Sequence, residues 1–160
     1  MAKNKKKNES EDRIIENRKA RHDYFITETL ETGIVLMGSE VKSVRDGKVS
    51  LGEGYVRVEP LKNAMYMYGV NIGEYGPAGA RQHAAVRVRK LLAHKREIAK
   101  LFKASDAKGM TLVPLKMYFK NGYAKVLIGV AQGRAAHDKR DRIAEREAQR
   151  SIDRAMSKRM

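Results

Sequence analysis

The sequence contains no cysteine. Disulfides and thiolate metal sites are therefore excluded, and the chain suits a reducing, cytoplasmic setting. Long apolar runs are missing too. None approaches the roughly 18–20 residues that a membrane-spanning helix needs, so no membrane role is expected. The lysine-rich start, MAKNKKKNES, has no apolar segment behind it and does not read as a secretory signal. Signatures of catalysis are equally absent. His22, His83, His94 and His137 are scattered, none with a metal-ligand partner at recognisable spacing. There is no HExxH, no GxSxG, no P-loop and no GxGxxG after a strand. Acidic residues lie mostly among basic ones, which favours surface pairing over acid–base work. No catalytic residue, metal or cofactor is expected.

What the chain has in abundance is positive charge. Lys and Arg number 34 against 19 Asp and Glu, a formal net charge of +15 in 160 residues. Such a charge concentrates polyanions and speeds their capture. An anionic membrane surface or an acidic protein would satisfy it, but nucleic acid is the foremost partner for a small chain this basic. A hydrophobic content of 42% supports one domain with a modest core, while 33% charged and 6% aromatic residues imply a heavily solvated surface.

Three segments follow from the pattern. Residues 1–12 are polar and read as a flexible arm. Residues 13–132 carry the structural signals. Residues 13–21 have only Ile14 and Ile15 as apolar anchors and predict a turn of helix leading into a first strand over 22–30. Gly33 breaks that strand before Ile34-Val35-Leu36. Ser39 and Glu40 open a short helix that Asp46-Gly47 ends. Strands at 55–59 and 64–70 flank a turn, and 73–81 is a glycine-rich loop. A helix starting near His94 should bury Ile98, Leu101 and Phe102. Strands at 110–120 and 123–131 join through Asn121-Gly122, the favoured pair for a type I′ hairpin, with Pro114 marking a bulge or unpaired edge. The expected fold is mainly β, a small antiparallel barrel of the oligonucleotide-binding (OB) type with added short helices. A mixed open sheet with helices on one side is second.

Residues 133–160 form a basic tail. Arg142, Arg146, Arg150, Arg154 and Lys158 recur every four residues and would line one stripe of a helix. Ala144, Ala148, Ile152, Ala155 and Met156 give a thin apolar stripe beside it, too small to dock firmly on a core. Such a segment is expected to be disordered alone and to fold on a polyanionic partner, RNA first among them.

Elsewhere, the run Glu16-Asn17-Arg18-Lys19-Ala20-Arg21-His22 can serve RNA or be a solvated linker. Arg18, Lys19 and Arg21 can hold phosphates, Asn17 can read a base edge, and His22 can stack on a base. Glu31 is either an ordinary turn residue or an acceptor for base amino and imino groups. Leu91 reads first as core, and otherwise as an apolar platform for an unstacked base. The seven tyrosines lie mainly in strands and read as half-buried, not as a stacking array.

With these motifs in view, the chain resembles the SsrA-binding protein family, small protein B (SmpB). The likeness is carried by residues 16–24 (ENRKARHDY), 33–36 (GIVL), 38–45 (GSEVKSVR), 89–94 (RKLLAH), 108–115 (KGMTLVPL) and 137–140 (HDKR). It implies an OB-like barrel with added helices, no catalytic activity, and binding of transfer-messenger RNA for delivery to ribosomes stalled on messages without a usable stop codon. Asn17, Glu31, Leu91 and Lys125 would lie on the face that holds the tRNA-like domain, extended by Arg18, Lys19, Arg21 and His22. Gly133 would be a hinge. His137, Asp138, Lys139 and Arg140 would enter the decoding centre, His137 stacking on a ribosomal base, and the rest of the tail would become helical in the empty messenger channel, with Met156 and Ile152 as its apolar anchor. The chain departs from the family in Ala155-Met156, where a bulkier apolar pair is common, and in Ser39, where threonine is usual. A monomer is expected. A general RNA-binding or ribosome-assembly module on the same barrel is the competing class, and an RNA-modifying enzyme is a third.

Overall fold

The computed structural model describes residues 13–157; the arm expected over residues 1–12, and Lys158 of the tail stripe, lie outside the described residues. In chain order the elements are β1 (Ile15–Glu16), α1 (Arg18–Asp23), β2 (Tyr24–Ile34), α2 (Gly38–Arg45), β3 (Val49–Ser50), β4 (Tyr55–Glu59), β5 (Ala64–Tyr68), β6 (Asn71–Ile72), β7 (Arg89–Leu92), α3 (Lys95–Asp106), β8 (Met110–Lys120), β9 (Tyr123–Gly133) and α4 (Ala136–Ser157).

The barrel is built out from the β8–β9 hairpin. Asn121 and Gly122 sit at φ 52° and 78°, the positive values a tight two-residue turn demands. Pro114, which cannot donate to a ladder, marks a register shift before Lys116. From there the sheet runs β9 to β2, β2 to β7, β7 to β5 and β5 to β4. Strand β4 returns to β8 through Val56 opposite Leu112, so the antiparallel ring closes into the OB-like barrel that the strand spacing predicts. The break expected at Gly33 is absent. β2 runs through it because Gly33 is paired on both sides, to Leu92 and to Lys125.

Alternation along the strands turns one face inward. Met65 and Met67 of β5, Leu91 of β7, Leu112 and Met117 of β8, and Val126 and Ile128 of β9 are buried together. Helix α3 adds Ile98 and Leu101 from one face. Phe102, expected beside them, is instead 36% exposed, since one residue further on turns about 100° around the helix.

A buried charge cluster fixes how β7 faces. Glu40 of α2 is fully buried, and Arg89 donates to its Oε1 at 2.8 Å while Arg87 donates to its Oε2 at 2.6 Å. Arg89 also donates to the carbonyls of Val70 at 2.8 Å and Ala85 at 3.1 Å. An arginine with this many partners can sit inside. Burial opposes ionisation of Glu40, but the bonds from Arg87, Met37 N–H and Arg89 outweigh it and hold the carboxyl below its ordinary range.

Most of the tail is helix: α4 spans 22 residues. Its sequence is rich in Ala, Arg and Glu, strong helix formers, and it exceeds the roughly 12–15 residues at which an isolated helix becomes marginal. Gln149 donates to Asp153 one turn on at 2.9 Å. Asp138 lies in the first turn and Arg154 in the last, as the helix dipole favours.

Candidate nucleic-acid interface

Glu31 lies on the outer wall of the barrel, and its carboxylate is held in place. Tyr118 on β8 donates its hydroxyl to Oε2, and Lys120 donates to Oε1 at 3.3 Å. The tyrosine bond, with Lys120 and Lys125 nearby, holds the Glu31 carboxyl below the usual range. Partial burial and the same carboxylate push the Tyr118 hydroxyl up to about 12, so it stays a donor. Ladder register places Tyr118, Lys125 and Gly33 side by side across three strands.

Next to this group is a hollow of about 360 Å³ lined by Glu31, Gly33, Leu92, Ala93, His94, Glu97 and Lys125. Leu92 forms its apolar floor at 50% exposure. Gly33 matters here for space: a Cβ on it would come within 3.3 Å of the Leu92 Cβ. Glu97 is partly committed, accepting the backbone N–H of His94 at 2.9 Å as a helix cap. The hollow thus offers an ionised acceptor, an apolar ledge, an exposed imidazole and a lysine. That set suits an unstacked base with a neighbouring phosphate.

Two expected contact residues do not belong to it. Leu91 is 1% exposed, inside the barrel opposite Met65 and Ile34, so the exposed apolar ledge is Leu92. Asn17 is 3% exposed and cannot read a base edge. Its amide donates to the carbonyls of Leu51 at 3.0 Å and Pro114 at 2.8 Å, and its oxygen caps α1 by accepting from Ala20 N–H at 3.0 Å. Asn17 fastens α1 to the barrel.

Arg18, Lys19, Arg21 and His22 sit on α1, away from the hollow. Tyr24 pairs with Gly133 and Gly33 with Lys125, at opposite ends of the β2–β9 ladder. Seven residues of strand from Tyr24 to Glu31 span about 23 Å. Arg18, Lys19 and Arg21 are exposed, Lys19 pairing with Glu53. His22 is half-buried and bonded to Asp23 at 2.9 Å. The expected single face is therefore two basic patches, one near each end of β2.

The α1 patch adjoins the base of the tail. Arg134 N–H donates to the Asp23 carbonyl at 3.0 Å, and its guanidinium donates to the Tyr24 carbonyl at 3.1 Å. Arg142 donates to the Arg21 carbonyl at 2.6 Å, and Lys139 lies 3.5 Å from the Asp23 carboxylate. The bond from His22 and the charge of Lys139 keep the Asp23 carboxyl low. Gly133 ends β9, with open space about it. Asp138 and Arg140 are exposed in the first turns of α4, as are Arg146, Arg150, Ile152, Arg154 and Met156 further along. His137 falls in the same first turn.

Among the described residues no group of three or more His, Cys, Asp or Glu could hold a metal ion. No described helix is long and apolar enough to cross a membrane.

Comparison with known proteins gives a consistent result. The family described as "SmpB protein" matches residues 14–158. An SsrA-binding protein of Geobacillus sp. (strain WCH70) is 49% identical over 146 residues, 91% of this chain and 93% of that protein. One from Levilactobacillus brevis is 49% identical over 156 residues, 98% of each. A solved structure described as "tmRNA-SmpB: a journey to the center of the bacterial ribosome" is 47% identical, with a TM-score of 0.66 over 77% of this chain and 85% of that one.

Proposed function

This chain belongs to the SmpB protein family, and on that premise we propose that it is an RNA-binding adaptor that takes the tRNA-like domain of transfer-messenger RNA to stalled ribosomes for trans-translation. It acts in the cytoplasm by binding, without catalysis or a cofactor. The observation that carries the assignment is the Glu31 carboxylate, oriented by Tyr118 and Lys120 beside exposed Leu92 and Lys125. Phosphate contacts alone give affinity without selectivity, whereas a fixed acceptor beside an apolar ledge selects an unstacked base by its edge and its face. Glu31, Leu92 and Lys125 hold the folded RNA, and Arg18, Lys19, Arg21 and His22 add phosphate and stacking contacts at the far end of β2.

The tail does the second task. Residues 137–140 meet the decoding centre, and the remainder of α4 probes the messenger channel, its Arg142, Arg146, Arg150 and Arg154 stripe facing ribosomal RNA. An extended message fills that path and an empty channel admits the helix, so stalled ribosomes are distinguished by exclusion.

A chain lacking residues 134–160 tests this division of labour. It retains binding of the tRNA-like domain, measured by equilibrium filter binding, and loses tagging on stalled ribosomes in a reconstituted translation system. Loss of RNA binding in the shortened chain overturns the assignment.

A further inference from the structure

The outer wall of β4, β5 and β7 carries an aromatic and basic strip that the Glu31 hollow does not use. Tyr55 and Tyr68 lie opposite one another in the ladder, their rings stacked with centroids 5.3 Å apart and planes 10° apart. The Arg57 guanidinium lies over both, 5.7 Å from the Tyr55 centroid and 6.0 Å from that of Tyr68. Register continues the strip outward from Arg57 to Tyr66 and from Tyr66 to Lys90. Tyr55 is 39% exposed, and Arg57 and Lys90 are exposed. Neither cation has a carboxylate partner among the described residues.

A cross-strand tyrosine pair stabilises a hairpin wherever it occurs. That purpose does not account for two unneutralised cations beside the pair on a solvent-facing wall. Rigid aromatic faces flanked by free positive charge are what single-stranded RNA needs, with bases stacked on rings and phosphates on Arg and Lys. We propose that this strip is a second RNA-binding surface, which takes an unpaired stretch of single-stranded RNA, a base stacking on Tyr55 and phosphates lying on Arg57 and Lys90.

The test uses the full chain, a fluorescein-labelled adenylate decamer and an abasic strand of the same length at physiological ionic strength. Tyr55→Leu weakens decamer binding by about fivefold or more, as for loss of one base–aromatic stack, and leaves the abasic strand unaffected. Arg57→Gln, an exposed change that spares the fold, weakens both strands through the lost phosphate contact. Parent-like decamer binding by either variant overturns the proposal, as does an equal loss of both strands by Tyr55→Leu, which would mean charge alone. The decamer lacks a tRNA-like fold and Glu31 lies outside the strip. Glu31→Gln therefore lowers binding of the folded RNA without touching the decamer, and the two assignments fail separately.

Discussion

Adjacent leucines on β7 should have opposite fates when shortened. Leu91 is 1% exposed, with Met65 and Ile34 as its ladder partners, while Leu92 is 50% exposed on the outer wall. Leu91→Ala deletes core volume in a closed ring of paired strands, where the walls can relax little. Leucine-to-alanine changes in cores cost about 2–5 kcal/mol, and this rigid setting points to roughly the upper half of that range. With a urea slope of about 2 kcal/mol/M, the unfolding midpoint falls by about 1.8–2.5 M. Leu92→Ala removes a side chain that is already half in water, so its cost to stability is at most about 1 kcal/mol. Its effect lies in binding, where losing the ledge under a base weakens RNA capture by about 1 kcal/mol or more. Urea unfolding followed by circular dichroism, together with filter binding to the tRNA-like domain, separates the two. An Leu91→Ala chain that keeps its midpoint but loses RNA, beside an Leu92→Ala chain that binds normally, would refute the facing assigned to β7.

Glu31→Gln weakens binding of the tRNA-like domain by about 1–3 kcal/mol, as expected for a lost charge-assisted bond. Because Tyr118 lowers the Glu31 carboxyl, the wild-type contribution holds through mild acid and fades only as pH falls through that lowered value, below the ordinary 4.5; a pH titration of affinity that declines well above it counts against Glu31 as the acceptor. Glu40→Gln strands Arg89 inside the barrel and costs about 3–5 kcal/mol, read by denaturant unfolding. The folded Glu40 carboxyl is also depressed below 4.5, so its stabilisation is present above the unfolded value and is lost as pH falls through the folded one. The Glu40→Gln chain accordingly shows a flatter acid limb in its stability–pH profile, and an unchanged limb would place the acid sensitivity elsewhere.

Features set by neighbours in sequence were legible, and those set across the fold were not. Asn121-Gly122 and Pro114 act through their own backbone chemistry, so the β8–β9 hairpin and its bulge could be read directly. The facing of β7 could not. In Arg89-Lys90-Leu91-Leu92 both parities place one cation and one leucine inward, and the choice falls to Glu40, 49 residues away, which brings Arg89 inside. The sequence alone therefore does not single out Leu92 as the outward leucine. Tyr118 and Lys120 orient Glu31 across separations of 87 and 89 residues, which no local pattern reveals. Asn17 has the right chemistry to read a base, but its amide is consumed by two carbonyls that only the fold delivers. The tail's arginine spacing was plain, yet spacing alone could not say that its first turns lean on α1.

That contact has a mechanical side. From Ile143 to Ser157 every residue of α4 is exposed, so the helix is steered only near its root, by Arg134, Lys139 and Arg142 against residues 21–24. Twenty-two residues of α-helix measure about 33 Å. A tilt of about 10° at the root would carry the far tip sideways by about 6 Å, more than the pitch of one helical turn. Aim is therefore decided where the lever is short, and α1, fastened by Asn17 and bearing its own basic patch, is the mount on which that aim is set.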